Sequence, residues 1–155
     1  MRTAISAAVI VAVLAYAGLS GLWVSSNSSW YLSLSQPPWQ PPSWVFGLIW
    51  PYNFLMLGIV SVRFAQSASI ERVWLWTTAL VVSVAFAIAW SYSFYQLKNL
   101  GQAAAFLVIA AVLTMVLTVL VFQFDAVTAL FFVPYQLWLL AAASLAIGYW
   151  RLNPS

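Results

Sequence analysis

Three runs of aromatic residues recur at helical spacing and are the part of this chain most able to do chemistry. Phe46, Trp50 and Phe54 stand four apart, as do Phe86, Trp90 and Phe94. Tyr135, Trp138, Ala142, Leu145 and Tyr149 follow at steps of three and four. Such steps put side chains on one stripe of a helix. Aromatic stripes on neighbouring helices either pack against each other or lipid, or wall a pocket for a flat, apolar ligand whose π-system stacks on them. Both readings stay open on spacing alone. Cys and His are absent. That excludes disulfides, thiolate nucleophiles, His- or Cys-based zinc sites and His-ligated haem, and it removes the usual general base at neutral pH. No metal ligands are expected. Any redox chemistry would have to be carried by the ligand itself, with tryptophans as its walls.

The elements that carry these stripes follow from composition. Apolar residues make up 65% of 155 and charged residues 5%, too few charges to cover a water-soluble surface. The chain reads as an integral, multi-pass membrane protein. The charges are Arg2, Arg63, Glu71, Arg72, Lys98, Asp125 and Arg151, and each long gap between them holds about 20 apolar residues, one crossing. The gap from Arg2 to Arg63 is divided by the polar, proline-rich stretch 25–43. An all-α bundle of five transmembrane helices results, near 4–24, 44–64, 73–95, 101–123 and 127–150, in one domain covering 1–155. Runs such as AAAFLVIAAVLTMVLTVLVF do not alternate, which excludes a β-barrel. Arg2, an apolar run and the small residues Ala15 and Ala17 also fit a cleaved signal, but the run continues through Trp23 and favours a crossing.

Scattered basic residues offer no nucleic-acid face. Glu71 and Asp125 fall in turns, and no ionisable residue lies mid-membrane, which argues against a proton- or ion-coupled pump. Pro134 should kink the fifth crossing or end its first turn, freeing a carbonyl near Leu130 for a loop group. Small residues Ala85, Ala89 and Ser93 on the third crossing suit close helix approach in lipid and are the expected homodimer interface. Ala110, Thr114 and Thr118 on the fourth repeat the pattern, and either row could instead pack inside the bundle. Leu145, Tyr149 and Arg151 trace a sterol-type motif, or else an interfacial anchor for the helix end.

The stretch 25–43 is unlike a solvating linker. It holds Trp30, Tyr31 and Trp39 among Pro37, Pro38, Pro41 and Pro42, which stiffen it and oppose helix. It reads as a lid folded over the mouth of the bundle, or as an interfacial aromatic belt.

Trp30-Tyr31, the run Pro37-Pro38-Trp39-Gln40-Pro41-Pro42, then Trp44-Val45-Phe46 and Trp50 together resemble the TspO/MBR family of translocator and tryptophan-rich sensory proteins. Trp90 with Phe94-Tyr95, Pro134-Tyr135 with Trp138, and Trp150-Arg151-Leu152-Asn153 extend the resemblance to Asn153. It implies a five-helix bundle, commonly homodimeric, with a cavity under the first loop. It also implies binding of porphyrin or haem, with sterol or lipid as other ligands and no required cofactor. The implied cavity positions are Tyr31, Pro41, Phe54, Trp90, Ala142 and Leu145. Adding the stripes and the loop aromatics, the candidate set also takes in Trp30, Phe46, Trp50, Ala87, Phe94, Tyr135, Trp138 and Ala146. Some relatives degrade protoporphyrin in light, and Trp50 and Trp138 match the tryptophans implicated. The sequence departs from the family at usually polar positions, which here are Ala87, Ile88 and Ala146, and Phe106 replaces an acidic residue of some members. A more apolar cavity is expected. The leading reading is a tetrapyrrole-binding receptor or transport protein, with a porphyrin-degrading enzyme and a sterol or lipid binder as alternatives.

Overall fold

Five long helices and one short one account for nearly the whole chain. The computed structural model describes residues 1–154. The long helices are α1 (Arg2–Ser26), α3 (Ser43–Ser67), α4 (Ile70–Tyr95), α5 (Leu100–Phe124) and α6 (Ala126–Leu152). Each is long and apolar enough to cross a bilayer. This is an all-helical, five-span membrane protein. The short helix α2 (Ser28–Ser33) lies inside the stretch expected to be loop. The prolines begin only at Pro37, so nothing in SSWYLS opposes one helical turn, and the irregular segment shrinks to 34–42.

The connections are tight because side chains close them. Asp125 ends α5 and caps α6, its carboxylate accepting from the Val127 and Thr128 N–H groups at 3.1 and 3.3 Å and from the Thr128 hydroxyl. Asn99 caps α5 by accepting from the Gln102 N–H at 3.0 Å. Lys98, before it, takes a left-handed φ of 56° in the α4–α5 turn. These caps satisfy N–H groups that helix starts leave open.

The two ends of the bundle differ. At one end the Arg2 guanidinium donates to the Ala65 and Ala68 carbonyls at 2.6 and 2.8 Å, and Gln66 donates to Ser6 at 3.0 Å, zipping α1 to α3. Arg63 pairs with Asp125 at 3.3 Å at the same end. Just inside lies a dense aromatic core: Trp76 stacks on Phe64 at 4.8 Å, tilts against Phe132, and donates its indole N–H to Ser61. The opposite end carries α2, the proline segment, Lys98 and Arg151.

The small-residue rows settle differently from expectation. Ser83 of α4 donates to the Ala110 carbonyl at 3.2 Å and lies 3.0 Å from the Thr114 hydroxyl. Ala110, Thr114 and Thr118 are buried, so that row packs inside the bundle. In the expected interface row, Ala85 is exposed and Ala89 half-buried, but Ser93 is buried and donates to Gln102 of α5. The row winds from the outer face into the α4–α5 seam, because steps of four drift around a 3.6-residue helix. Ser93 therefore faces α5 and cannot belong to a surface shared with a second copy.

Pro134 sits within a continuous α6. The Tyr52 hydroxyl of α3 donates to the Phe131 carbonyl at 2.7 Å. The carbonyl that the missing Pro134 N–H leaves free is that of Leu130, so this bond adds to the turn before the proline and does not replace the lost one.

Candidate functional site

At the lid end the bundle encloses a cavity of about 790 Å³, within the size range of small-molecule sites. Its back wall is α4 and α6. Trp90, Phe94 and Tyr95 come from α4; Trp138, Ala142, Leu145, Ala146 and Tyr149 come from α6. From α3 come Phe46, Trp50 and Phe54, and the roof is Tyr31, Leu32, Gln36, Gln40 and Pro41.

The aromatic groups touch in a connected series. Trp50 lies nearly parallel to Trp90, with centroids 6.4 Å apart and planes at 18°, and meets Trp138 edge-on at 6.3 Å. Phe46 stands edge-on to Trp138 at 5.1 Å. The Tyr16 hydroxyphenyl of α1 closes the bottom, edge-on to Trp50 at 6.0 Å and to Phe54 at 5.1 Å. Offset and edge-on pairs of this kind hold rings rigidly and leave flat faces toward the space between them.

The polar groups lie in two sets. Across the mouth, the Tyr149 hydroxyl donates to the Gln40 side-chain oxygen Oε1 and is 3.0 Å from the Tyr31 hydroxyl, while Tyr31 also reaches the same oxygen. This ties α2, the proline segment and α6 together. Deeper, the Trp90 and Trp138 indole N–H groups and the Ser20 hydroxyl are buried on lining residues without a hydrogen-bond partner. An unmet buried donor is unfavourable by about 1–3 kcal/mol; these three have almost no accessible area, so the ring faces rather than these donors are what the cavity presents.

The segment 34–42 is fastened to the end of α6. Asn153 accepts from the Ser35 N–H at 2.8 Å and donates to the Ser35 carbonyl at 3.0 Å. Pro37 and Trp39 rest on Gly148, where an added Cβ would come within 2.7 Å of the Pro37 ring.

Of the expected ligand residues, Tyr31, Pro41, Phe46, Trp50, Phe54 and Trp90 line the cavity. So do Phe94, Trp138, Ala142, Leu145 and Ala146. Three do not. Trp30 packs outside on Phe94 and Tyr95, its ring 5.6 Å below the Lys98 ammonium. Ala87 is buried in the core away from the cavity, and Tyr135 packs on Phe132 one turn below it. A stripe read at steps of three and four is wider than the arc a pocket takes, which is why its lower members fall into the core. Phe86 leaves its stripe for the same reason and meets Phe106 at 5.8 Å. The replaced polar positions thus separate: Ala146 makes the wall itself more apolar, whereas Ala87 and Phe106 lie off it.

The sterol-type motif does not hold together as a surface. Leu145 and Tyr149 face the cavity, whereas Arg151, two residues on, is exposed on another side of α6. Tyr149 is not an interfacial anchor either, since its hydroxyl is tied to Gln40.

The α1 wall escaped the sequence reading. Ala17, Ser20, Gly21 and Val24 line the cavity, and being small they carry no aromatic signal; their spacing of three and four was the available clue. Gln36, Gln40 and Tyr95 were missed as well.

Residues 7–151 match the model of the TspO/MBR family. The chain belongs to the TspO/MBR family. It is 31% identical to Protein CrtK of Rhodobacter capsulatus over 95% of this chain and 92% of that protein. It is 30% identical to the tryptophan-rich sensory protein of Cereibacter sphaeroides over 80% of this chain and 77% of that one. The human translocator protein is 28% identical, over 80% of this chain and 75% of its own length. As a TspO/MBR protein it is an integral, multi-pass membrane protein with an aromatic cluster at each end of the bundle.

Proposed function

We propose that this TspO/MBR protein is a membrane receptor or carrier that binds a tetrapyrrole in the cavity beneath the proline segment. The observation that carries the reading is a cavity of about 790 Å³ walled by the flat rings of Phe46, Trp50, Phe54, Trp90 and Trp138. A porphyrin offers the complement, an extended π-face for these walls. No His or Cys exists to bind an iron centre axially, and the Tyr31 and Tyr149 hydroxyls of the lining are engaged with Gln40 and each other. Affinity therefore comes from the macrocycle, and free-base protoporphyrin should bind about as tightly as haem. A preference for haem of tenfold or more, about 1.4 kcal/mol, would contradict this. Cholesterol at saturation in the same vesicles should leave porphyrin binding unchanged; full displacement would move the reading to a sterol or lipid site.

A second reading, light-driven porphyrin degradation, draws support from Trp50 and Trp138 meeting at 6.3 Å on the wall. It predicts a spectral change of bound protoporphyrin under illumination that Trp138→Phe abolishes while binding persists. We further propose a homodimer joined on the outer face of α4 through Ala85 and Ala89, without Ser93. Crosslinking that finds only monomer in lipid would overturn it.

A further inference from the structure

We infer that the cavity opens sideways into the bilayer, between the second half of α1 and the first half of α3, and that planar apolar molecules dissolved in the membrane enter there rather than past the proline segment. The identity of the natural cargo rests on the tetrapyrrole reading; the opening itself does not.

Burial along the two helices divides at the same level. Every buried residue of α1 lies from Ile5 to Tyr16, and every buried residue of α3 lies from Asn53 to Ala65. Beyond Tyr16 and before Asn53 neither helix buries a side chain. The halves that remain make their aromatic contacts with other helices: Trp23 of α1 meets Tyr92 of α4 at 5.4 Å, while Phe46 of α3 meets Trp138 of α6 at 5.1 Å. Tyr16, edge-on to Phe54 and Trp50, is the last aromatic contact that α1 makes with α3.

The cavity lining divides in the same way. The residues from α4 and α6 are buried or half-buried, whereas Gly21, Val24 and Ser25 of α1 and Ser43 of α3 line it while exposed, as do Leu32, Gln36 and Pro42 of the roof. A Cβ added at Gly18 or Gly21 meets no atom within 4 Å, so these glycines are not there for close packing. The open seam runs from Tyr16 to the end of α1, ten residues or about 15 Å of helix rise, which is half the hydrocarbon thickness. Both flanking helices turn exposed leucines outward, such as Leu22 and Leu48, so the seam faces acyl chains. Meanwhile the proline segment is held in place by Asn153 on Ser35 and by Gln40 on Tyr149.

The chain lacks cysteine, so one introduced thiol reports access without ambiguity. Ala142→Cys on the back wall, in protein reconstituted into phosphatidylcholine vesicles, is exposed to pyrene maleimide dissolved in the lipid. Leu48→Cys on the outer face serves as the reactivity control. We expect Ala142→Cys to label, and Gly21→Trp in that background to slow labelling about tenfold or more, within the span over which single changes alter association rates. Ala17→Phe, blocking the seam from the same helix, should act likewise. Asn153→Ala, which frees the proline segment, should change the rate less than about twofold. Labelling that both seam variants leave unchanged and Asn153→Ala accelerates would overturn the lateral route, as would failure of Ala142→Cys to label while Leu48→Cys does. Labelling that follows the seam variants, in protein that fails to saturate with protoporphyrin, would uphold the opening and remove the tetrapyrrole reading alone.

Discussion

Gly148 lies so close under the proline segment that its missing side chain is a structural requirement. A methyl group there would stand 2.7 Å from Pro37 and 2.9 Å from Trp39. The helix backbone cannot yield, so the segment must lift. Gly148→Ala should lower stability by about 1–3 kcal/mol, the usual range for overpacking, and make residues 34–42 more sensitive to protease; unchanged thermal unfolding and cleavage would mean that the segment adapts in place. The sequence shows a glycine at this point of the terminal motif but not what rests on it, because the contact joins residues far apart in the chain. The same holds for Gln40, an unremarkable polar residue between prolines until Tyr149 reaches it. Aromatic identity is easier to read: Trp50, Trp90 and Trp138 announce themselves by size and spacing. Small lining residues such as Ser20 and Gly21 do not, since a pocket wall made by absence of bulk resembles any lipid-facing turn.

Helix boundaries were legible to within a few residues, because charges and caps mark where hydrocarbon ends. Asp125 illustrates how. Its carboxyl lies below its usual pKa of 3.8, first through the hydrogen bond from the Thr128 hydroxyl, then through the Val127 and Thr128 N–H groups and the Arg63 charge, against some desolvation. The ionised form therefore stabilises the fold. That contribution is complete above about pH 4 and is lost as pH falls through the lowered folded-state value. Asp125→Asn should reduce the thermal midpoint at pH 7 and flatten its decline below pH 4; an equal decline in the variant would assign acid sensitivity elsewhere. Helix interiors were less legible. Pro134 signals a disturbance, but only packing shows the Tyr52 hydroxyl of α3 on the Phe131 carbonyl in the turn before it. Tyr52→Phe should destabilise by about 0.5–1.5 kcal/mol without altering ligand binding, as read by thermal unfolding beside a porphyrin titration. A midpoint that does not move would mean that the hydroxyl contributes nothing there. The α4 row is ambiguous in sequence for a related reason: Ala85, Ala89 and Ser93 share a pattern, yet Ser93 turns into the seam with α5.

At the scale of the molecule, one end is a solid aromatic and aliphatic core around Trp76, and the other is hollow. Burial of apolar atoms contributes little to helix association in lipid, so the solid end relies on close packing and on bonds such as Ser83 with Thr114 and Trp76 with Ser61. That division lets the hollow end give up side-chain contacts between α1 and α3 while the fold stays fixed from below. Composition announced a membrane bundle, and the motif residues announced its family; the asymmetry between its ends was hidden, because α1 and α3 are mostly apolar in both halves. The central claim is that the hollow end is a binding site built on its aromatic walls. It is tested most directly by titrating reconstituted protein with protoporphyrin in darkness, following tryptophan quenching in the native chain, in Trp138→Ala and in Trp44→Ala. Trp44 is exposed on the outer face of α3 and stands outside the cavity. Saturable one-to-one binding, weakened at least tenfold by Trp138→Ala, about 1.4 kcal/mol, and unaffected by Trp44→Ala, is the predicted result. Quenching that rises without saturation, or that both variants alter equally, would show that porphyrin dissolves around the protein rather than inside it.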